Sequence, residues 1–548
     1  MPIENGKHDF DYFLEKVGNE GRYQKKFNVL FNCIYPALVT AIYYSINISL
    51  AVPDHWCRVP GRTSNYSVEE WKLLTIPWKN DSLGNKEFSK CEMFSIDSSK
   101  EIIGCQYGWE YDTKWFKSTL TTQNNWVCEK SSYVTDAFTF LTIGDVLGSF
   151  VFGQLGDMYG RRPIFLVSTV SVLIGRILDL YTSDYWLLMV LFLVGNLPSN
   201  SVYQAPEVLL MEISEPEKTS TIAIVNQMFY SIGYGIMPLV FWAVPDWIPF
   251  SMIITAPLIA YLFFYSFMVE SPRWLLNRGK TDRCIKEMAK IAKTNGRKIP
   301  QGMFKLLKSV EPEVEKTYGI MSLFSTPRLA RVTIFLLIQG SSHMIIYVLL
   351  YLNLNNLDGN PFMNYFWQAL GEIPGQLFGK YLCDRVGRKW SRVFSFLVAL
   401  VMNIAMTYFV TEKNSETTVS AILFILKMFL GLIQYSMNVG TIEMYPTALR
   451  QTGASLNYTV GCLASLACPF VVYLASDYGK GFPYVILAVF SCLGFFASFF
   501  LPETLHQIPP ESVKEADELI KKQSIFYFPI SQENKVIAEE VSGKSLLN

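Results

Sequence analysis

Long apolar segments, separated by short polar ones, dominate the chain. Twelve segments have few charged residues and fall into two groups of six: 27–50, 132–152, 164–181, 186–211, 220–243 and 248–269, then 332–352, 361–382, 391–411, 418–442, 452–475 and 482–501. Each is close to the ~20 residues that an α-helix needs to cross a bilayer. The pattern therefore predicts an all-α membrane protein with twelve transmembrane helices in two six-helix halves.

The polar segments between these windows predict five regions. They are an N-terminal segment 1–26, a first half 27–269 that includes a long loop at 51–131, a linker 270–327, a second half 328–501 and a tail 502–548. The linker has an excess of Lys and Arg, which places it in the cytoplasm. With an even number of spans, both termini are expected there too. The first 26 residues are polar and charged, so we expect no cleaved signal peptide.

Composition supports a membrane protein and excludes several function classes. Half of the residues are hydrophobic and only 17% are charged, against about 25% in soluble domains. Lys+Arg and Asp+Glu balance at 47 each, so no bulk basic field exists to bind nucleic acid. Gly279-Lys280-Thr281 and Gly543-Lys544-Ser545 lack the upstream glycine of a phosphate-binding loop. We therefore expect neither an enzyme nor a cofactor.

The loop 51–131 has the marks of an oxidised, glycosylated exterior segment. It contains four cysteines, which allow three disulfide pairings, and two acceptor sequons: Cys57, Cys91, Cys105, Cys128, Asn65 and Asn80. A metal site that uses His55 and Cys57 is not favoured, because paired C-x-x-C spacing is missing. We expect disulfide bonds and glycosylation, and no bound metal.

A short charged motif follows the second span of each half. The first copy runs from Gly153 to Arg162, and the second from Gly379 to Lys389. Glycines let helices and loops approach closely, and charged residues can hold helix ends. We predict that both copies form a latch through these residues: Gly153, Asp157, Gly160, Arg161 and Arg162 in the first, and Asp384, Arg385, Gly387 and Arg388 in the second.

Three further stretches, together with this repeat, carry a family resemblance. They are Cys105-Gln-Tyr-Gly108-Trp109-Glu-Tyr111-Asp112, Glu270-Ser271-Pro272-Arg273-Trp274 and Glu443-Met-Tyr445-Pro446-Thr447-Ala-Leu-Arg450. In this order, behind a long first exterior loop, they resemble the organic cation, carnitine and organic anion transporters of the major facilitator superfamily. The segment 353–374 is most similar to the carnitine-transporting branch.

This resemblance implies a multi-pass plasma-membrane carrier of small organic ions. Such carriers have two pseudo-symmetric halves and work by alternating access around a site near the bilayer midplane. The carrier is expected to be either a uniporter or coupled to sodium or protons. By the same resemblance, the two latch motifs form a gating network with Glu212, Glu443 and Arg450.

The resemblance also bears on the charge of the substrate. Anion-transporting relatives have Lys two residues after the proline of the eighth span, and Arg twelve residues after the Arg of the tenth-span exit. This chain has Gln376 and Cys462 there. Cation-transporting relatives have Asp where this chain has Cys462, and the carnitine branch has Arg there. Cys462 therefore departs from the pattern of the cation transporters and of the carnitine branch as well.

Two acidic residues lie inside predicted spans, where a charge is costly and indicates function. Glu372, two residues before Pro374, is our candidate contact for a cationic head group; alternatively it pairs with a basic residue or is protonated. Asp145 is a candidate site for a coupling cation or proton; alternatively it only pairs with Arg176.

Aromatic side chains complete the predicted site, because ring faces attract organic cations. The candidates are Tyr230, Tyr347, Tyr351 and Trp367, with Gln227 one turn before Tyr230. Asn457 and Tyr458 in the eleventh span are added as further candidates. The alternative is that each ring packs in the core or faces lipid.

These residues leave three functions open. The first is transport of organic cations or zwitterions, such as carnitine-like or amine metabolites, favoured by Glu372 and the tyrosines. The second is exchange of organic anions, against which Gln376 and Cys462 argue, although Arg176 could supply positive potential. The third is a non-transporting receptor or sensor on a transporter scaffold. A facilitator for neutral sugars is a more distant fourth.

Overall fold

The structure, a computed structural model, describes residues 10–62, 66–80, 86–95, 101–298, 319–357, 359–412, 415–446, 449–507, 510, 513–523 and 526–527. Of the predicted residues, Asn65 lies outside this part. The backbone of Asn80 and Asp157 is described, but their side chains are not.

The first half contains six long helical segments, which we call spans 1 to 6. They are Arg22–Ser49, Ser132–Tyr159, Arg161–Leu178, Tyr185–Glu212, Thr219–Ala243 and Trp247–Phe264. Span 1 consists of helix Arg22–Phe27, a π-helical segment Asn28–Ile34 and helix Tyr35–Ser49. Span 4 is broken into Tyr185–Asn196 and Ser201–Glu212.

The second half contains spans 7 to 12. They are Pro327–Leu352, Pro361–Val386, Arg388–Phe409, Glu416–Met444, Arg450–Tyr478 and Phe482–Phe500. Span 11 is broken into Arg450–Ser465 and Cys468–Tyr478. Every predicted window therefore coincides with a long helical segment, in the predicted two sets of six.

Apolarity differs between the spans. Among the residues that the structure describes, nine helical segments are long and apolar enough to cross a membrane, and spans 2, 3 and 8 are not among them. Each of these three contains charged residues, among them Asp145 in span 2, Arg161 and Arg176 in span 3, and Glu372 in span 8.

Close helix approaches repeat between the halves. In span 2, a Cβ atom at Gly148 would collide with the carbonyl oxygen of Leu197 in span 4. In span 8, a Cβ atom at Gly375 would collide with the carbonyl oxygen of Met428 in span 10. Glycine therefore permits the same pair of spans to touch in both halves, as small residues do in membrane helix interfaces.

The halves meet at the end of the bundle that carries residues 51–131, which we call the loop face; the opposite end, with residues 270–298, is the linker face. Asn47 in span 1 donates a hydrogen bond to the carbonyl of Tyr351 in span 7 at 2.9 Å. Asn355 donates to the carbonyl of Asn47 at 2.9 Å. The ring of Phe362 in span 8 lies 5.6 Å from that of Phe241 in span 5. These contacts join the halves at the loop face.

The loop between spans 1 and 2 folds into three antiparallel strand pairs. β1 (His55–Cys57) pairs with β6 (Trp109–Tyr111), β2 (Trp78–Asn80) with β3 (Lys86–Phe88), and β4 (Glu92–Phe94) with β5 (Ile102–Gly104). Disulfide bonds join Cys57 to Cys105 and Cys91 to Cys128. Of the three possible pairings, this is the one that the structure contains. Helices Val68–Thr75 and Leu120–Asn124 complete the loop.

Short helices cover the linker face. They are Phe10–Val17, Pro272–Asn277, Thr281–Asn295 and Val513–Lys522, with 3-10 segments at Cys128–Lys130, Pro216–Lys218, Ile320–Phe324 and Asn353–Asn356 elsewhere in the chain. Asn295 in the linker accepts a hydrogen bond from the backbone N–H of Tyr23 at 2.8 Å and donates to the carbonyl of Gly18 at 2.8 Å. The N-terminal segment is therefore docked on the linker.

Candidate functional site

Glu372 lies in the middle of span 8 and is buried at 2% exposure. Gln368 and Gln376 precede and follow it by four residues, so all three lie on one face of the helix. Both glutamines are buried as well. Each has a side-chain amide nitrogen without a hydrogen-bond partner among the residues that the structure describes. This face of span 8 therefore presents one carboxylate between two amide groups.

A basic partner for Glu372 comes from span 10. The ammonium of Lys427 lies 3.9 Å from Oε2 of Glu372, and its side chain is fully buried. It also lies 3.4 Å from the ring centroid of Tyr347 and 5.5 Å from that of Tyr234. The ammonium of Lys427 therefore contacts the ring face of Tyr347, and its distance from the carboxylate of Glu372 is long for an ion pair. The structure thus contains the alternative in which Glu372 pairs with a basic residue.

Tyrosines from both halves surround this pair. The hydroxyl of Tyr347 in span 7 donates to Oε2 of Glu372 at 3.4 Å. The hydroxyl of Tyr44 in span 1 is 3.1 Å from that of Tyr347 and 2.7 Å from that of Tyr230 in span 5. A chain of hydroxyl groups therefore links the two halves at the carboxylate.

Further predicted residues join this cluster. The side chain of Gln227 in span 5 lies near the carboxylate of Glu372. The ring of Tyr351 packs against Tyr44 with centroids 4.7 Å apart. We call Glu372, Lys427, Tyr44, Tyr230, Tyr234, Tyr347, Tyr351 and Gln227 the Glu372 cluster.

Trp367 does not lie on the face of span 8 that carries Glu372. It precedes Glu372 by five residues, which rotates it about 140° around the helix from the carboxylate. Its ring lies 5.6 Å from that of Phe366, and the residue is half-buried. The facing that we assumed for Trp367 is therefore incorrect, because five residues do not bring two side chains onto one helical face.

A second buried carboxylate, Asp145 in span 2, binds groups from both halves. Ser199, at the break in span 4, donates to its Oδ1. Tyr458 in span 11 donates to the same oxygen at 3.3 Å, and the thiol of Cys462 donates to Oδ2 at 3.6 Å. We call these four residues the Asp145 cluster. Three neutral donors satisfy the carboxylate, and none of these contacts is with a cation.

Arg176 does not pair with Asp145, so that alternative is wrong. Its guanidinium instead donates to Asp179 at 2.9 Å and to Ser45 at 3.0 Å. Asp179 follows Arg176 by three residues on the same helix, so the pair forms locally. The positive potential that Arg176 could offer an anion is therefore balanced within span 3.

Asn457, the other candidate in span 11, lies against span 7. A Cβ atom at Gly340 would collide with its side-chain oxygen. Within the described part of the chain, that oxygen is buried without a hydrogen-bond partner. Asn457 therefore fills a gap between two helices of the second half, while its neighbour Tyr458 reaches Asp145.

The latch of the first half lies at the linker face. The guanidinium of Arg161 donates to Glu212 at 3.3 Å and to the carbonyl of Gly156 at 2.8 Å. The buried carboxylate of Glu270 accepts from the backbone N–H of Arg161 at 2.8 Å, at the N-terminus of span 3. Burial raises the pKa of Glu270 above its ordinary value, and the backbone hydrogen bonds oppose this. A carboxylate at a helix N-terminus is stabilised by the helix dipole.

The second half repeats this arrangement. Arg388 donates to Glu443 at 3.1 Å and to the carbonyl of Cys383 at 3.0 Å. Glu503 accepts from the backbone N–H of Arg388 at 2.8 Å and is fully buried. Asp384 lies 3.6 Å from Arg388. The two latches are therefore related by the same pseudo-symmetry as the halves.

The remaining motif residues have local contacts. Arg162 stacks on the ring of Tyr265 at 4.4 Å, and Arg385 lies 6.0 Å from the ring of Tyr381. Arg450 donates to the carbonyl of Tyr445 at 3.2 Å. Gly153 and the backbone of Asp157 lie in span 2. The positive φ of Gly160 and of Gly387 turns the chain sharply between spans.

One grouping in the loop resembles a metal site. The ligand atoms of His55, Cys91 and Cys128 lie within 4.8 Å of one another. Both cysteines are joined in a disulfide bond, so neither offers a thiolate to bind zinc.

Sequence reasoning missed Lys427, Tyr44 and Tyr234. Lys427 could have been found, because a lone lysine within the apolar run 421–432 is costly in a span and marks function. The chain has 30 tyrosines, and nothing in their spacing reveals which face the partner half.

Comparisons with known proteins agree with this architecture. The family described as Sugar (and other) transporter matches residues 104–511. The carcinine transporter of Drosophila melanogaster is 28% identical over 95% of this chain and 81% of its own length. The beta-alanine transporter of the same species is 27% identical over 93% and 89%. Organic cation transporter 1 of Caenorhabditis elegans is 25% identical over 94% and 89%. The predicted resemblance to organic cation transporters is confirmed.

Solved structures show the fold. The proton:xylose symporter XylE, bound to 6-bromo-6-deoxy-D-glucose, aligns with a TM-score of 0.55 and 15% identity over 91% of this chain and 99% of that chain. XylE from E. coli in an inward-open conformation aligns with a TM-score of 0.57 and 13% identity over 88% and 98%. The two six-helix halves are thus arranged as in that twelve-helix transporter.

Proposed function

Because the chain belongs to the Sugar (and other) transporter family of the major facilitator superfamily, we propose that it carries small organic cations and zwitterions across the plasma membrane. The family consists of transporters, so the chain is a membrane carrier and not an enzyme. The substrate class that we propose rests on the Glu372 cluster.

One observation carries the proposal. The carboxylate of Glu372 is buried at the contact between the two halves and is bonded by the hydroxyl of Tyr347. Tyr44 and Tyr230 of the first half connect to it through Tyr347. A protonated or quaternary amine beside a carboxylate and several ring faces gains about 0.5–2 kcal/mol from each ring contact. The carboxylate and the ring faces of the cluster are therefore complementary to an organic ammonium group that displaces the ammonium of Lys427 from them.

The Asp145 cluster supports alternating access. Asp145 bonds Ser199 of its own half and Tyr458 of the other half. The bond between the halves must break when they rock apart, so the protonation or ion occupancy of Asp145 is coupled to that motion. We propose Asp145 as the site of a coupling cation or proton.

The latches support the same cycle. Arg161 with Glu212 and Arg388 with Glu443 tie span ends together at the linker face. We place this face in the cytoplasm, with both termini, and the disulfide-bonded loop outside. The halves are joined at the loop face by Asn47 and Asn355, which we assign to the exterior gate.

The names of the relatives agree with this substrate class. Beta-alanine has an ammonium and a carboxylate at neutral pH, and carcinine is an amine. At 27–28% identity, these names support an amine-bearing substrate.

Uptake into cells that express the protein at their surface tests the proposal. The uptake of labelled amines, zwitterions and carboxylates is measured at two external pH values, with and without sodium, for the native chain and for Glu372→Gln. Glu87→Gln, an exposed acid in β3, is the matched control. We expect uptake of amines or zwitterions that Glu372→Gln abolishes and Glu87→Gln preserves. Uptake confined to anions, indifferent to Glu372, would overturn the proposal.

A further inference from the structure

Lys427 is a buried cation in the middle of the substrate site that we propose. It is the lone charged residue in the apolar run 421–432 of span 10, and its side chain has no exposed surface. Its stem packs against span 8, where Gly371 leaves room for the Lys427 Cβ. A charge at this depth is costly and indicates a function beyond packing.

The ammonium of Lys427 is poorly satisfied. It has three N–H donors, yet among the residues that the structure describes no hydrogen-bond acceptor lies within reach. Its contacts are the ring of Tyr347 at 3.4 Å and Oε2 of Glu372 at 3.9 Å. A buried ion pair without such hydrogen bonds recovers little of its desolvation cost. Lys427 therefore has unused capacity for an acceptor.

Donors on span 8 have the same unused capacity. The side-chain amide nitrogens of Gln368 and Gln376 are buried, and in the described ranges of the chain neither has a hydrogen-bond partner. They lie one turn before and one turn after Glu372, on its face of the helix. Unpaired buried donors are costly. About 12 Å of helix separates the two amides, so an anionic group satisfies the one that it reaches.

We infer that Lys427 binds the carboxylate of a zwitterionic substrate whose ammonium group occupies Glu372 and Tyr347. This inference rests on the proposed function, which it narrows to amino acids or related zwitterions. In the structure, Lys427 occupies the ring face that a substrate cation would use, so an entering ammonium must displace it. A substrate carboxylate gives the displaced Lys427 a partner, and an unpaired amide of span 8 is available as a further donor.

A plain cation has no such group. Its ammonium would face the ammonium of Lys427 across Tyr347, and like charges brought together disfavour binding. The pair Glu372 and Lys427 therefore selects for a substrate that carries both charges. Lys427 acts here as a specificity residue that touches the substrate.

The test uses two probes that differ only in the charge of one end. Beta-alanine and beta-alaninamide share the same ammonium and chain, but the amide has no carboxylate. Their uptake is measured into proteoliposomes with the purified full chain, its Lys427→Met and Lys427→Arg variants, and Lys286→Met as an exposed control in the linker helix Thr281–Asn295. We expect the native chain, Lys427→Arg and Lys286→Met to prefer beta-alanine. Lys427→Met should lower the ratio of beta-alanine to beta-alaninamide uptake about tenfold or more, since a hydrogen bond to a charged group is lost.

Each outcome is decisive. If Lys427→Met leaves the ratio unchanged, the inference is overturned while the proposed function stands. If the native chain takes up neither probe and moves only simple anions, the proposed function fails as well. Should Lys427→Met not fold, as read from its melting temperature, Lys427→Gln replaces it, because the amide keeps the length of a polar side chain without the charge.

Discussion

The carboxylate of Glu503 accepts a hydrogen bond from the backbone N–H of Arg388 at 2.8 Å. Glu270 forms the same bond with Arg161 in the other half. Each carboxylate closes the N-terminus of a membrane span, where the helix dipole favours a negative charge. In each case, the glycine before the Arg has a positive φ and lies against the carboxylate. The same hydrogen bond and the same glycine conformation therefore hold the charged motif in each half.

Gly387→Ala should destabilise the fold. Gly387 has a φ of 105°, and a Cβ atom there would collide with the carboxylate of Glu503. With ψ at 160°, this backbone lies in a region that is essentially limited to glycine and costs about 1–3 kcal/mol for a residue with a Cβ. We expect a lower melting temperature of the purified protein. Gly319→Ala is the control and should leave the melting temperature unchanged, because Gly319 has an ordinary φ of −72° and no atom of the described residues lies within 4 Å of an added Cβ. Equal melting temperatures for the two variants would contradict the strain that we assign to Gly387.

Tyr347 should contribute through both its hydroxyl and its ring. Tyr347→Phe removes the hydrogen bond to Glu372 and the contact with Tyr44. Each hydrogen bond is worth about 0.5–1.5 kcal/mol. Tyr347→Leu also removes the ring face. The Michaelis constant for uptake should therefore rise up to about tenfold in Tyr347→Phe and further in Tyr347→Leu. Identical constants in the two variants would show that the ring does not contact the substrate.

Asp145→Asn should uncouple transport from an ion gradient. The variant keeps a polar side chain for Ser199 and Tyr458 but cannot lose a proton or bind a cation strongly. Uptake by the native chain is measured with an imposed proton or sodium gradient, and we expect the variant to lose the stimulation. Asp136→Asn is the control, because Asp136 bonds Tyr185 near the loop end of span 2. A gradient response that survives in Asp145→Asn would exclude this site.

The exterior loop should depend on its two disulfide bonds. Proteolysis without reduction should yield linked peptides that join Cys57 to Cys105 and Cys91 to Cys128. Replacing both Cys91 and Cys128 by Ser should destabilise the loop by about 2–4 kcal/mol, measured as increased protease sensitivity of the 51–131 segment. Peptides linked in either of the other two pairings would contradict the structure.

Much of the fold was predictable because the bilayer dictates the length of an apolar helix. The breaks within the spans were not predictable, because a hydropathy average over a whole window does not reveal a break inside it. The window 186–211 is interrupted at 197–200 in span 4, where Pro198 cannot continue the hydrogen-bond pattern. Span 1 also begins earlier than predicted, at Arg22, because Tyr23, before residue 27, bonds the linker residue Asn295.

The candidate site was predictable in part. Glu372 stood out because a charge inside a span is costly, and the same argument applied to Lys427. Tyr44 and Tyr234 could not be selected, since the rotation of a helix against the opposite half is set by tertiary packing. Asp145 and Cys462 are far apart in sequence, and only the fold brings the thiol to the carboxylate.

Counterflow in proteoliposomes tests the central claim most directly, that Glu372 forms the site for an organic ammonium group. Vesicles with the purified chain are loaded with unlabelled beta-alanine, and the entry of labelled beta-alanine is followed beside Glu372→Gln and Glu87→Gln. We predict accelerated entry with the native chain and Glu87→Gln, and a loss of at least about tenfold in Glu372→Gln, because a buried charged hydrogen bond is removed. Equal acceleration with Glu372→Gln would contradict the claim.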